Sequence, residues 1–128
     1  MTSQEFLASV GRGSVSPVTL LCGGEDFLID QCIEKVIETT LDEGAKAFNL
    51  DVVYGSKTDV QEVIAHASAF PMMGNKRVVV VKEFEKLATT DPAKEIFKAY
   101  LEHPLPSTCL LLVSLEPDFR KRPFTDLK

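Results

Sequence analysis

The run Val78-Val79-Val80-Val81 constrains the fold more than any other part of this sequence. A strand with one face in water alternates apolar and polar residues, whereas this run offers apolar side chains to both sides. Such a strand is typical of the interior of a parallel sheet that is covered on both faces. The chain has 128 residues, which is the size of one domain and enough to bury a hydrophobic core.

Strand-like and helix-like segments alternate along the rest of the chain. We predict strands over residues 18–22, 48–54, 77–81 and 108–113. Apolar residues with helical spacing follow Asp26, Ser56 and Asp91, which predicts three helices. Ser56 and Asp91 are residue types that cap helices, and Pro92 suits the first position of the third helix. This alternation predicts an α/β fold in which a parallel sheet carries helices on both faces, joined by right-handed crossovers.

The composition excludes several classes of protein. A net charge of −5 argues against a surface that binds polyphosphate everywhere, because affinity for a nucleic-acid backbone comes mostly from Lys and Arg. No apolar run approaches the ~20 residues of a transmembrane helix, and residues 1–5 do not resemble a secretory signal. Cys22, Cys32 and Cys109 lie in apolar surroundings and are odd in number, which indicates buried thiols in a reducing cytoplasm.

The turn after the first strand lacks the groups that bind nucleotides. In an open α/β sheet this turn is the usual phosphate cradle, and a P-loop requires Gly-x4-Gly-Lys-Ser/Thr. Here it reads Gly23-Gly24-Glu25-Asp26-Phe27-Leu28, with no Lys, no Ser or Thr, and two carboxylates that would repel phosphate. We therefore expect a nucleotide-binding scaffold without catalytic residues and without a cofactor. A nucleotide-dependent phosphotransferase with a degenerate phosphate loop is the alternative.

Other catalytic or metal-binding patterns are weaker still. An acidic residue at the end of the third strand would hold a metal, but Glu83 follows Lys82 and is predicted to form a surface ion pair. His66 and His103 do not have the spacing of zinc ligands, and no Ser or Cys lies in a nucleophile-elbow context. We predict no metal site and no catalytic residue.

An apolar turn precedes the valine strand. It reads Phe70-Pro71-Met72-Met73-Gly74, and burying a Phe or Met side chain is worth roughly 1.5–3 kcal/mol. These side chains must therefore either fold back into the core or contact a partner. We name Phe70, Pro71, Met72 and Met73 the apolar tip and predict that it is a protein-binding site.

The end of the sequence is basic and irregular. Arg120, Lys121 and Arg122 are possible contacts to DNA phosphates, although a solvated linker explains them as well. The segment does not look like the natural end of a domain, so we expect the chain to be a fragment.

Taken in order, several short motifs resemble the delta subunit of the bacterial DNA polymerase III clamp loader. The motifs are Pro17-Val18 with Leu20-Leu21, Gly24-Glu25-Asp26 with Phe27-Leu28-Ile29, Phe48-Asn49-Leu50-Asp51, Pro71-Met72-Met73, Lys76 to Lys82, Glu85-Lys86-Leu87 and Pro106-Ser107-Thr108. Together they cover nearly the whole chain. The resemblance implies an AAA+-like (P-loop-NTPase-like) N-terminal domain without ATPase motifs. Residues 1–128 would be this clamp-interacting domain, truncated before its last strand, with the helical lid and C-terminal collar domains outside it.

The same resemblance implies a role in DNA replication. The domain would bind the beta sliding clamp through the apolar tip and help to open the ring for loading onto DNA. Other partners would be the AAA+ ATPase and delta-prime subunits of the loader, and primed DNA in the assembled complex. Sister subunits would hydrolyse ATP, and this domain would respond to them. The chain would be a non-catalytic, cytoplasmic subunit of a DNA-directed DNA polymerase, a nucleotidyltransferase. Met72 and Met73 stand where the family usually has Leu-Phe, and flexible Met side chains suit irregular apolar pockets.

Overall fold

The computed structural model describes residues 17–22, 26–41, 44, 46–71, 76–87 and 90–114. The strands are β1 (Val18–Cys22), β2 (Leu50–Tyr54), β3 (Arg77–Lys82) and β4 (Thr108–Ser114). The helices are α1 (Asp26–Thr40), α2 (Lys46–Asn49), α3 (Val60–Ser68) and α4 (Asp91–Glu102), with a 3-10 turn over Phe84–Lys86. Within these ranges no helix is long and apolar enough to cross a membrane.

The four strands form one parallel sheet in the order β1-β4-β3-β2. β3 and β4 are its central strands, and Val78, Val79, Val80 and Val81 are fully buried. The valine run is therefore a two-sided core strand, which confirms the prediction that it lies inside a covered parallel sheet.

Each face of the sheet has its own hydrophobic core. On one face α1 packs on alternate residues of β3 and β4, including Val78, Val80 and Leu111. On the opposite face α3, α4 and the 3-10 turn pack on the residues between them, including Val79 and Leu110. The period-2 geometry of a strand sends neighbouring side chains to opposite faces, so one apolar run supplies both cores. The three-layer architecture is confirmed.

Several local predictions were wrong in detail. The second strand begins at Leu50, because Phe48 belongs to the short helix α2. Helix α3 is capped by Asp59, whose side chain accepts a hydrogen bond from the Glu62 amide at 2.8 Å, and Ser56 lies outside it.

Helix α4 differs in its cap. Thr90 caps it, with an extended backbone and a side chain that accepts from the Ala93 amide at 3.3 Å, so the predicted cap Asp91 is the first helical residue. The third and fourth strands each extend one residue further than predicted, to Lys82 and Ser114.

Because all strands are parallel, the sheet has two chemically different edges. The amino edge carries the strand starts, where the connection from α3 enters β3. The carboxyl edge carries the strand ends, where ligands usually bind in open α/β sheets.

Candidate docking site at the amino edge of the sheet

Helix α3 ends just before the apolar tip. Ala69 is its C-cap, with an extended backbone (φ −75°, ψ 139°) and an amide that donates to the His66 carbonyl at 3.3 Å. Pro71 restricts the residue before it to extended conformations, so the helix cannot continue through Phe70. The Phe70 side chain is 76% exposed, whereas Pro71 is partly buried. For Phe70, the alternative that the tip folds back into the core is wrong.

A buried arginine fixes the base of this segment. Arg77 is 8% exposed, and its Nε donates to the His66 carbonyl at 3.0 Å. Its Nη1 donates to the Phe48 carbonyl at 3.2 Å, and its Nη2 donates to the Asp51 carboxylate. We call Arg77 with His66, Phe48 and Asp51 the arginine bracket. It ties the last turn of α3 to α2, β2 and β3, so the backbone from which Phe70 projects is held in place.

The start of β3 is held on its other side by the loop before β4. The Arg77 amide donates to the Ser107 carbonyl at 2.8 Å. The Lys76 ammonium donates to the Pro106 carbonyl at 3.0 Å. The start of β3, at Lys76 and Arg77, is therefore tied to the loop before β4.

Both histidines interact with neighbouring groups of the fold. His66 Nδ1 lies 3.6 Å from the Asp51 carboxylate and its Nε2 lies 3.9 Å from that of Glu62. His103 caps α4, its amide donating to the Tyr100 carbonyl at 3.1 Å. Across the described ranges no group of three His, Cys, Asp or Glu side chains is arranged to hold a metal ion.

Several predicted site residues lie outside the described residues. Phe70 and Pro71 are placed at the amino edge, but Met72 and Met73 are not described. The same holds for the basic cluster of Arg120, Lys121 and Arg122 and for residues 23–25 of the predicted phosphate turn.

Sequence reasoning missed two features of this edge. Phe48 is about half exposed and its carbonyl is part of the arginine bracket. The sequence pattern places Arg77 at the start of a strand and indicates no buried partners for it. A charged residue directly before a run of buried valines was the available signal, because a buried guanidinium must find partners.

The carboxyl edge is polar. Glu83 follows β3 and forms an ion pair at 3.3 Å with Lys86, not with Lys82 as its position in sequence indicated. The Ser56 hydroxyl donates to Glu83 Oε1 at 2.5 Å. This hydrogen bond, with smaller contributions from Lys86 and Lys57, lowers the pKa of the Glu83 carboxyl. Glu83 has a left-handed backbone with φ 55°, the one non-glycine residue of the described chain with a positive φ.

Comparison with known proteins agrees with this architecture. The family model for the DNA polymerase III delta subunit matches residues 20–128. DNA polymerase III subunit delta of Bacillus subtilis is 30% identical over 112 residues, which are 83% of this chain and 32% of that protein. This chain therefore spans about a third of the length of that curated relative.

Among the solved structures that match, two illustrate the shared fold. The Bacillus subtilis DNA clamp loader delta protein has a TM-score of 0.87 at 28% identity, over 98% of this chain and 40% of that one. A DNA polymerase III gamma subunit-related protein from Thermotoga maritima has a TM-score of 0.64 at 14% identity, over 90% of this chain and 40% of that one, a likeness that concerns the fold alone. From the family match and the shared architecture it follows that this chain belongs to the family of DNA polymerase III delta subunits.

Proposed function

We propose that this domain binds the ring-shaped beta sliding clamp through the apolar tip and helps to open the ring for loading onto DNA. The observation that carries the proposal is the exposure of Phe70 at 76%, beside Pro71 and on a backbone held by the arginine bracket. A large aromatic side chain held in water on a rigid base is typical of a binding surface. Met72 and Met73 follow Pro71 in sequence, and the proposal is that their apolar side chains bind the clamp together with Phe70.

The free energy that the tip can contribute to binding determines how much of it must be buried against the clamp. Burying Phe70, Met72 and Met73 would yield about 1.5–3 kcal/mol each, whereas micromolar binding requires about 8 kcal/mol net. Association also costs translational and side-chain entropy. All three side chains must therefore enter a pocket, and contacts around the tip must add to them.

Ring opening follows if the tip prefers one state of the clamp. A ligand shifts an equilibrium only by the difference between its affinities for the two states. The domain would bind the clamp with an open subunit interface more tightly than the closed ring. ATP hydrolysis would belong to sister subunits of the loader, and this cytoplasmic domain would respond to them and, in the assembled complex, to primed DNA.

The test is clamp binding by tip variants, measured by biolayer interferometry with the clamp of the same organism. We expect Phe70→Ala and the double variant M72S/M73S each to weaken binding at least tenfold. The matched control is Ile96→Ala, which removes an exposed apolar side chain from α4. Unchanged affinity in folded tip variants would remove the tip from the clamp-binding surface.

The melting temperature separates binding from folding. If Met72 and Met73 were core residues, the double variant would create cavities and melt at a markedly lower temperature. We expect its melting temperature to stay close to that of the wild type while clamp affinity falls.

Two other functions make different predictions. A nucleotide-dependent phosphotransferase would bind Mg-ATP at low micromolar concentration in a calorimetric titration, whereas we expect no such binding. Direct DNA binding through Arg120, Lys121 and Arg122 would give an affinity that falls steeply with salt and is lost when all three are replaced by Ala.

A further inference from the structure

Exposed aromatic residues at the amino edge are not confined to the apolar tip. Phe48 is the third residue of the short helix α2 and is 49% exposed, although Phe is among the residue types most often buried. Asn49 beside it is fully buried, and within the described ranges Phe48 belongs to neither hydrophobic core. A large apolar side chain thus lies in water directly before β2, and core packing does not account for it.

A single guanidinium connects the segments that carry Phe48 and Phe70. The Nη1 of Arg77 donates to the Phe48 carbonyl at 3.2 Å, and its Nε donates to the His66 carbonyl at 3.0 Å. His66 lies in the last turn of α3, four residues before Phe70. The two exposed phenylalanines therefore leave neighbouring backbone segments at the same edge of the sheet, and both segments are held by one buried side chain.

Clamp binding requires more apolar contact than the tip supplies. Even at its upper limit, burial of the Phe and Met side chains of the tip barely meets the net free energy of micromolar binding, before the entropy lost on association is counted. Phe48 is the other exposed large apolar side chain that the described residues place at this edge. Val52 and Tyr54 lie further along β2, and Ile96 lies on α4.

We propose that Phe48 is a second aromatic anchor of the clamp-binding surface, buried by the sliding clamp together with the apolar tip. This inference rests on the proposed function and adds to it a residue from a separate element. The arginine bracket holds the backbone near both anchors before binding, which lowers the entropy lost on association. Aromatic side chains are enriched at the buried centre of protein interfaces, and Phe48 brings a second ring to this surface.

Two contacts determine more than affinity. A domain held at one point can pivot on its partner, whereas contacts from two separate elements set its orientation. Orientation matters for ring opening, because the domain must contact one state of the clamp better than the other. Phe48 would thus help to set the orientation in which the domain holds the open ring.

The test is clamp binding by Phe48 variants of the whole chain, measured by biolayer interferometry. Phe48→Ala removes the ring but leaves the backbone carbonyl in the arginine bracket, so the base of the tip stays in place. About half of the ring is still available for burial, so we expect affinity to fall about three- to tenfold. Phe48→Leu, which keeps an apolar side chain, should lose less. The matched control Val52→Ala removes a side chain of similar exposure, 46%, from the middle of β2 and should bind like the wild type.

The results decide between a clamp anchor and another role for Phe48. Unchanged clamp affinity in a folded Phe48→Ala variant would overturn the proposal. So would a loss of affinity that comes with a markedly lower melting temperature, which indicates a role in folding, or impaired assembly with other loader subunits at unchanged clamp affinity, which indicates a different partner. Phe70→Ala separates the two claims. If it weakens clamp binding and Phe48→Ala does not, the proposed function stands without the second anchor, and if neither variant weakens it, the proposed function fails as well.

Discussion

Two phenylalanines, one at each edge of the sheet, differ in how far they are buried. At the carboxyl edge Phe84 is fully buried in the 3-10 turn and packs on Phe97, with ring centres 5.2 Å apart. At the amino edge Phe70 is 76% exposed. Phe84 at the carboxyl edge thus contributes to the core, although Tyr54 at the end of β2 is 43% exposed there, whereas Phe70 at the amino edge lies in solvent.

The polar groups at the two edges also differ in how deeply they are buried. The arginine bracket at the amino edge is a partly buried network, centred on the buried Arg77, that joins four elements. At the carboxyl edge Glu83 pairs with Ser56 and Lys86 near the surface. The clamp-binding surface that we propose thus lies at the edge opposite the one where open α/β sheets usually bind ligands.

The largest expected difference between the two edges is the loss of stability when Phe84 or Phe70 is replaced by Ala. Phe84→Ala should lower the free energy of unfolding by about 3–5 kcal/mol, because it leaves a cavity beside Phe97. Phe70→Ala should change it by less than about 0.5 kcal/mol, because the side chain is already in water. Urea denaturation measures both. A large loss of stability in Phe70→Ala would mean that the tip is part of the core.

Replacing Arg77 tests how much the arginine bracket stabilises the amino edge. Arg77→Ala should cost about 2–3 kcal/mol, less than a fully buried pair because Asp51 is partly solvated. The neighbouring variant Lys76→Ala, which loses one exposed hydrogen bond, should cost below about 0.5 kcal/mol. Equal effects in denaturant titrations would show that the bracket does not stabilise the edge.

Two glycines test how tightly the carboxyl edge is packed. A Cβ on Gly55 would lie 2.1 Å from the Glu83 carbonyl oxygen, so Gly55→Ala should destabilise by about 1–3 kcal/mol. A Cβ on Gly44 would meet nothing within 4 Å, and Gly44→Ala should be neutral or stabilise by up to about 1 kcal/mol. Thermal melts of the two variants give the comparison. If Gly55→Ala melted with the wild type, the ends of β2 and β3 would be looser than described.

The pH dependence of stability tests whether the interior near the amino edge is dry. Burial raises the pKa of the Cys109 thiol to about 12, against 9.0 for the free side chain. Between about pH 9 and 12 the unfolded thiol ionises while the folded one stays protonated, so stability falls as pH rises. Relative to Cys109→Ala, the wild type should lose about 1.4 kcal/mol per pH unit in that window. Parallel stability curves for the two proteins above pH 9 would contradict the burial of this thiol.

The sequence predicted the sheet well because β3 and β4 are apolar on both faces, and no other element type suits such short runs. The cap of α4 was predicted one residue too late, because Thr90 and Asp91 are adjacent and both residue types can cap a helix. The capping residue is the one with the extended backbone, which is Thr90. Phe48 was assigned to a strand because one helical turn is too short to show a periodicity.

The candidate site was predicted only in part, for a physical reason. Pro71 and the apolar residues beside it are local signals, so the tip could be located from sequence. The arginine bracket could not be found in this way, because the partners of Arg77 lie 11, 26 and 29 residues away. Only the folded sheet brings them to one guanidinium.

Methyl NMR of the methionines tests the central claim most directly. The chain has three methionines, Met1, Met72 and Met73, so two of its three methyl signals report on the tip. In a sample labelled with ¹³C-methyl methionine, unlabelled clamp should shift or broaden the signals of Met72 and Met73 and leave that of Met1 unchanged. Clamp binding, established on the same sample by a change in translational diffusion, with all three signals unmoved would contradict a clamp contact through the tip.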